Sequence, residues 1–244
     1  MNAIDRYVED VMHRIAPGIP GRHRIEADLR SHLAERVAAG DDPTSAAASM
    51  GSPADVARGF LESVEPPLAT RAERLGAFLL DLGLGGLAIG SIALLAMIAL
   101  STYDPVPAEL PLPLALGLGI CAALTFILGI LYFPVLEGLF GQTAGKRVFG
   151  TYVAREGGER VGFWTAVVRR IPFLFDIWPV DAAFLLFTAR RQRAFDLAAR
   201  TIVIGGGRRI GSPWALVVLL WIVALALVAL IWAVGAGLET VPAP

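Results

Sequence analysis

Arg74-Leu-Gly-Ala-Phe-Leu-Leu-Asp81 opens an apolar run that reaches Leu100 with Asp81 as its only charged residue. Runs of about 18 or more apolar residues with few charges form membrane helices. Two more follow, at about Leu112–Leu136 and Trp214–Val234. At about 1.5 Å rise per residue, each is long enough to cross a hydrocarbon core about 30 Å thick. Arg74 falls at the interface, where a guanidinium reaches phosphates and water. Asp81 lies two turns deeper, roughly 10 Å, on nearly the same face. An ionised aspartate in that position costs about 2.5–3.5 kcal/mol on insertion scales. A cation, a neutral donor, water or a bound proton must offset that cost.

The rest of the chain fits this solvent. Of 244 residues, 55% are hydrophobic, above the 45–50% of ordinary soluble domains, and mean hydropathy is +0.62. The excess lies beyond Pro67, since residues 1–66 hold seven arginines and eleven acids and no long apolar run. The net charge of -1 points to no nucleic-acid partner. Cys121 is the only cysteine, and His13, His23 and His32 lack metal-ligand spacing. A metal site, a cofactor and a disulfide framework are therefore not expected. No cleavable signal is expected from the amphipathic, acidic first fifteen residues. Twenty arginines against one lysine suggest a GC-rich bacterial source.

Residues 1–65 read as a soluble four-helix bundle. Ile4, Val8, Val11 and Ile15 form one apolar stripe, and Ile25, Leu29, Leu33 and Val37 a second. Pro17, Gly18, Pro20 and Gly21 separate them. Asp42-Pro43 and Ser52-Pro53 place a capping side chain before a proline, the signature of a helix start. Ala46, Ala47 and Met50 are expected to face inward from the third helix; Val56, Phe60 and Leu61 mark the fourth. About 60 residues are near the lower limit for independent folding, so support from the membrane part is expected. Residues 66–73 read as a linker, 74–206 as the membrane domain, and 207–244 as an additional helix with a tail.

A fourth apolar stretch, Ile171–Phe187, contains Asp176, Asp181, Pro172 and Pro179 and is flanked by Arg169-Arg170 and Arg190, Arg191 and Arg193. Arginines at both ends place both ends in the cytoplasm. The stretch reads as a bent, re-entrant or interfacial segment, with a short true span as the alternative. The Ser101–Pro111 connection lacks cations and faces outward, whereas 141–170 and 190–209 are arginine-rich and face inward. Three spans then put the N-terminus in the cytoplasm and the C-terminal tail outside. Between the spans, Arg147–Arg155 and Glu159–Val161 flank Gly157-Gly158, a hairpin signal. Thr201–Ile204 is β-prone and adds a third strand. The expected class is an all-α membrane protein with three spans, a re-entrant or interfacial helical segment, a small cytoplasmic β element and an N-terminal soluble bundle.

Three motifs in order carry a family resemblance. The first is Arg74-to-Asp81. The second is Gly141-Gln142-Thr143-Ala-Gly145-Lys146, followed by Arg169 or Arg170. The third is Arg190-Arg-Gln-Arg193-Ala-Phe-Asp196-Leu-Ala-Ala-Arg-Thr201. Together they resemble the RDD family, named for one arginine and two aspartates, over about residues 71–206. Arg74, Asp81 and Asp196 match the name residues. Phe195 stands where the family often has histidine, and Arg200 where it often has glycine. The resemblance implies ligand transport or cation/proton exchange, as proposed for some members, or a scaffold role, as for others. The bundle resembles the helical domain that precedes many bacterial permeases and signalling proteins. That likeness implies a docking or sensing module; a surface cap without a partner is the alternative.

Asp81 has two readings. An intramembrane acid is a candidate ion or proton site. It is equally a structural lock, paired with Arg169, Arg170 or Arg193, and this reading is preferred because one acid per span is sparse for a transport path. Asp176 and Asp181 are expected near the interface as turn caps, and Glu137 at the cytoplasmic interface. Gly141-x-x-x-Gly145-Lys146 is one residue short of a Walker motif and lacks its Ser/Thr; Lys146 and Arg147 are expected to anchor on lipid phosphates. Gly86-x-x-x-Gly90 allows close helix packing, with Gly117 and Gly119 doing the same in the second span. No arrangement of nucleophile and base appears, so enzyme activity is not expected. The expected role is an accessory, assembly or regulatory subunit of the inner membrane. Its partners would be the lipid bilayer and either a membrane protein or a second copy of the chain. A transporter using Asp81 and Asp196 is the alternative.

Overall fold

Side-chain caps set the starts of the first helices. Asn2 accepts the Asp5 backbone N–H at 2.8 Å and opens α1 (Ala3–Arg14). Gly21, at φ +76°, turns the chain into α2 (Arg22–Ala38). Asp42 and Ser52 cap α3 (Pro43–Ser49) and α4 (Pro53–Glu62), each with proline at the first helical position. In this computed structural model, residues 2–101 and 112–239 are described, the side chains of 114 and 234–239 excepted. The Ser101–Pro111 connection, beyond Ser101, and the tail after Glu239 lie outside the described residues.

Both expected stripes face the core, with Val8, Val11, Ile15 and Leu33 fully inaccessible and Ile4 and Val37 partly buried at its edge. Their core also takes in Ala154, Ile202 and Ile204. Those residues belong to a two-stranded antiparallel sheet, β1 (Tyr152–Arg155) with β2 (Thr201–Ile204), in register Tyr152↔Ile204 and Arg155↔Thr201. The bundle therefore completes its core on the sheet.

Residues 66–73 are not a free linker. All four residues of β2 are buried, so its outer edge needs backbone partners. Pro67–Ala69 supply them: Gly205 N–H donates to the Pro67 carbonyl at 2.8 Å, and Ala69 N–H to the Val203 carbonyl at 2.9 Å. The first long helix, α5 (Arg71–Ser101), begins two residues later. The expected Gly-Gly hairpin is reduced to a single bridge, Ala154↔Arg160. Arg147–Phe149 are not strand either. They belong to α7 (Ala144–Phe149), which ends where Gly150 adopts φ +65°.

Among the described residues, three helices are long and apolar enough to cross a membrane: α5, α6 (Leu112–Phe140) and α11 (Pro213–Glu239). Their apolar segments are almost wholly unburied within the chain, as lipid-facing surface requires. The chain is a multi-pass helical membrane protein. α11 lies along α5 with Gly83 against Leu220 and Gly90 against Leu227; a Cβ at either glycine would fall within 2.6–2.8 Å of those leucines. Gly90 plays its expected part, but its partner in the contact is Gly83. A Cβ at Gly86, Gly117 or Gly119 would meet nothing within 4 Å. The fourth apolar stretch is bent into α8 (Phe163–Leu174) and α9 (Trp178–Phe187), with Asp176 at φ +54° between them. A one-turn helix, α10 (Ala194–Ala198), leads into β2.

Candidate functional site

The motif residues converge where the N-terminal part of α5 meets α7, α8 and α10. Asp196 lies in the first turn of α10 and accepts the Arg193 backbone N–H at 3.1 Å. Three guanidinium groups close on its carboxylate: Arg74 at 2.6 Å, Arg169 at 3.2 Å and Arg193 at 3.3 Å. Arg74 also donates to the Arg191 carbonyl. Asp196 is fully buried. Burial alone would raise its carboxyl pKa, but the charges of Arg169, Arg193 and Arg74 outweigh that and hold it well below the usual carboxylate range. Burial likewise works against the Arg193 charge, and Asp196, Asp181 and Glu137 reverse the effect and raise its pKa.

Two further carboxylates extend this node. Glu137, near the end of α6, binds the Lys146 ammonium at 2.6 Å and approaches Arg169 at 3.5 Å. It is buried within the chain and takes the Lys146 ammonium as its partner. Asp181 accepts the Phe195 N–H at 2.8 Å and lies 3.6 Å from Arg193, which ties α9 to α10. Thr201 takes an Arg169 donor at 3.3 Å and gives its own hydroxyl proton to the Asp196 carbonyl. Asp176 stays exposed at the bend between α8 and α9.

Asp81 belongs to a separate arrangement. It is 5% exposed, and its described hydrogen bonds come from neutral donors. These are the Thr143 hydroxyl at 2.6 Å, the Gly145 backbone N–H at 2.8 Å and the Tyr132 hydroxyl at 2.9 Å. The expected ion pair of Asp81 with Arg169, Arg170 or Arg193 is not found among the described residues: Arg169 and Arg193 bind Asp196, Glu137 and Asp181 instead. The Gly141–Lys146 motif now has a physical reading. Gly141 turns out of α6 at φ +72°, and Thr143 caps α7 while donating to Asp81. A Cβ at Gly145 would fall 2.1 Å from the Ala77 carbonyl oxygen, so only glycine permits this approach of α7 to α5. The Gln142 amide oxygen is buried without a hydrogen-bond partner among the described residues.

Arg170 differs from its neighbour Arg169. Its guanidinium carbon lies 3.8 Å from the ring centres of both Phe133 and Phe173. Beside it, a cavity of about 210 Å³ reaches Asp81, Glu137, Lys146 and Arg193. The sequence reading missed Tyr132 and Gln192, whose amide bridges Glu156 and the Thr201 carbonyl. A polar side chain facing inward from an apolar span was the available signal for Tyr132.

These contacts define a multi-pass membrane protein with a charge node around Arg74 and Asp196, and a neutral hydrogen-bonded site around Asp81, at one end of its spans. The model of the RDD family matches residues 68–200, and the chain belongs to that family. The match takes in α5 to α10, and leaves out the N-terminal bundle and α11. No curated protein and no solved structure matches the chain.

Proposed function

We propose that this chain is a non-enzymatic accessory or assembly subunit of a bacterial cytoplasmic-membrane complex. Its bundle would lie in the cytoplasm and its C-terminus outside. The observation that carries the reading is the one-sided placement of charge. Beyond Asp81, α5 has no charged residue, and neither does α6 before Glu137 or α11 before Glu239. A route for an ion through a single chain needs polar groups or water across that half as well. The charge node instead joins α5, α6, α8 and α10 into a base, and the bundle shares its core with the sheet beside that base. Such an arrangement suits a domain held at fixed orientation against the membrane to receive a partner. The arginine-rich segments share the bundle's side, which supports the orientation.

Purification of the full chain from native membranes in a mild detergent tests this reading. The expected result is a complex of defined stoichiometry that is lost when residues 1–65 are removed. A monomer without partner before and after that removal would end the proposal. The second reading, a transporter of a small ligand or a cation/proton exchanger, draws on the cavity that reaches Asp81. Flux in reconstituted vesicles that disappears in Asp81→Asn would favour it; flux that survives both Asp81→Asn and Asp196→Asn would exclude those residues from a path.

A further inference from the structure

Among the described residues, Arg170, a cation lining the cavity, forms no ion pair or hydrogen bond with a carboxylate, and Glu137 and Asp81 act on it only at longer range. Arg74, Lys146, Arg169 and Arg193 each bind at least one acid. Arg170 has no described hydrogen bond or ion pair, although it is partly buried and borders the cavity. Phe133 and Phe173 cover its two faces. Ring contacts use the faces of a guanidinium and leave its in-plane N–H donors free. A partly desolvated cation with unused donors in an apolar wall calls for an anion.

The surroundings indicate what carries that anion. Arg170 and Phe173 also close one end of a second, larger space of about 720 Å³ between α5 and α6. Apart from Arg170 and Thr125, that groove is apolar or glycine-lined, by Ile89, Ala93, Leu118, Phe126 and Gly129 among others. From Ile130 to Leu118 it follows α6 for about 18 Å. The Thr125 hydroxyl is turned back onto the Cys121 carbonyl at 2.8 Å, so it presents no donor to the groove. An apolar trough of acyl-chain length, ending at an unpaired guanidinium stacked between aromatic rings, matches an amphiphile with an anionic head.

We propose that Arg170 and the α5–α6 groove form a specific site for an anionic phospholipid of the leaflet on the bundle's side. The phosphate accepts from the Arg170 edge at the cavity mouth, and an acyl chain lies along Gly129, Phe126 and Leu118. The charge complementarity singles out an anionic lipid from the boundary lipid that coats any span. The site depends on membership in the membrane and not on the accessory-subunit reading.

Native mass spectrometry of the full chain tests the site, with phosphatidylglycerol and phosphatidylcholine of the same acyl chains offered in equal amounts. The expected result is about a tenfold preference for phosphatidylglycerol: both lipids offer Arg170 a phosphate, but the choline cation of phosphatidylcholine offsets that negative charge and repels the guanidinium. Arg170→Gln should abolish the preference while leaving non-selective lipid retention intact. Gly129→Leu is the independent variant. Its Cβ meets nothing within 4 Å, so the branch point is accommodated and the side chain projects from a groove-lining position; with helix content unchanged, it should cut phosphatidylglycerol retention by a similar factor. Excess inorganic phosphate should not displace the lipid. Equal retention of the two lipids by the natural chain, unchanged preference in Arg170→Gln, unchanged phosphatidylglycerol retention in Gly129→Leu, or full displacement by phosphate would overturn the proposal.

Discussion

Asp81 and Asp196 are both buried aspartates at the same end of the spans, yet they are held by opposite means. Three arginines close on Asp196. Two hydroxyls and a backbone N–H hold Asp81. The first arrangement spreads charge over α5, α8 and α10 and is expensive to break, because each partner left behind is a buried ion. The second fastens α7 and α6 to α5 through dipoles, which lose less when one member goes. Charge clamps the parts that are far apart in sequence, and neutral hydrogen bonds set the close approach of two helix backbones. Variants that equalise the two sites would break this contrast.

The largest effect is expected from Asp196→Asn. Breaking a buried ion network by removing one partner costs about 3–5 kcal/mol, and here three cations lose their shared acceptor. Thermal unfolding in detergent should show a much lower Tm or no folded protein. A change of less than about 1 kcal/mol, the median worth of an exposed pair, would mean that water already reaches the node. Acid gives the same contrast without mutation. The Asp196 pKa in the folded chain is held below its unfolded value, so its contribution is fully present above that unfolded value, about 3.9. It is lost as pH falls further, through the folded pKa. Tm should therefore hold level from neutral to about pH 5 as far as this group is concerned, and fall below about pH 4. An acid limb of the same depth in a folded Asp196→Asn protein would assign that loss to other carboxylates.

Parts of this contrast were written in the sequence. Arg74 and Asp81 were conspicuous because a charge in an apolar run must be compensated, and the bundle was readable from its two stripes and its Asp42 and Ser52 caps. The partner of Asp81 was not readable. Spacing along α5 suggested a cation, but the donors that meet it are a tyrosine, a threonine and an amide, which carry no charge signal. Arg74 lies near Asp81 in sequence and bonds to Asp196, 122 residues away. The sheet was legible in its residues but not in its pairing. Gly157-Gly158 pointed to a local hairpin, whereas β1 pairs with the distant β2. The signal for that was the unbroken apolar run Thr201–Ile204: a strand buried on both faces needs neighbours on both edges, and Pro67–Ala69 provide the second.

Asp81→Asn should have an intermediate effect. The amide still accepts at one oxygen, which at the Oδ1 position keeps the Tyr132 and Gly145 bonds, while its NH2 faces the Thr143 hydroxyl that donated to Oδ2. A cost of about 1–3 kcal/mol is expected, read as a moderate fall in Tm with helix content unchanged. A cost equal to that of Asp196→Asn would show that the neutral site is held as tightly as the ionic one.

The smallest effect is expected from Tyr132→Phe. The ring keeps its edge-to-face contact with Phe133, 5.0 Å between centres, so packing changes little. Only the hydroxyl is lost, which donates to Asp81 at 2.9 Å and accepts the Ala144 N–H at 3.2 Å. Asp81 keeps its two shorter bonds, from Thr143 and Gly145. The exposed Ala144 amide can turn to water or a lipid headgroup. The loss should be about 0.5–1.5 kcal/mol, a shift of a few degrees in Tm at most. Combining Tyr132→Phe with Asp81→Asn sharpens the contrast, because residues that share a hydrogen bond are non-additive. The double variant should be less destabilised than the sum of the two single changes. Tyr132→Phe combined with Arg74→Lys should be additive, since Arg74 belongs to the ionic site. Additivity in the first pair would mean that the Tyr132–Asp81 bond contributes nothing, and coupling in the second would mean that the two carboxylates form one network rather than two.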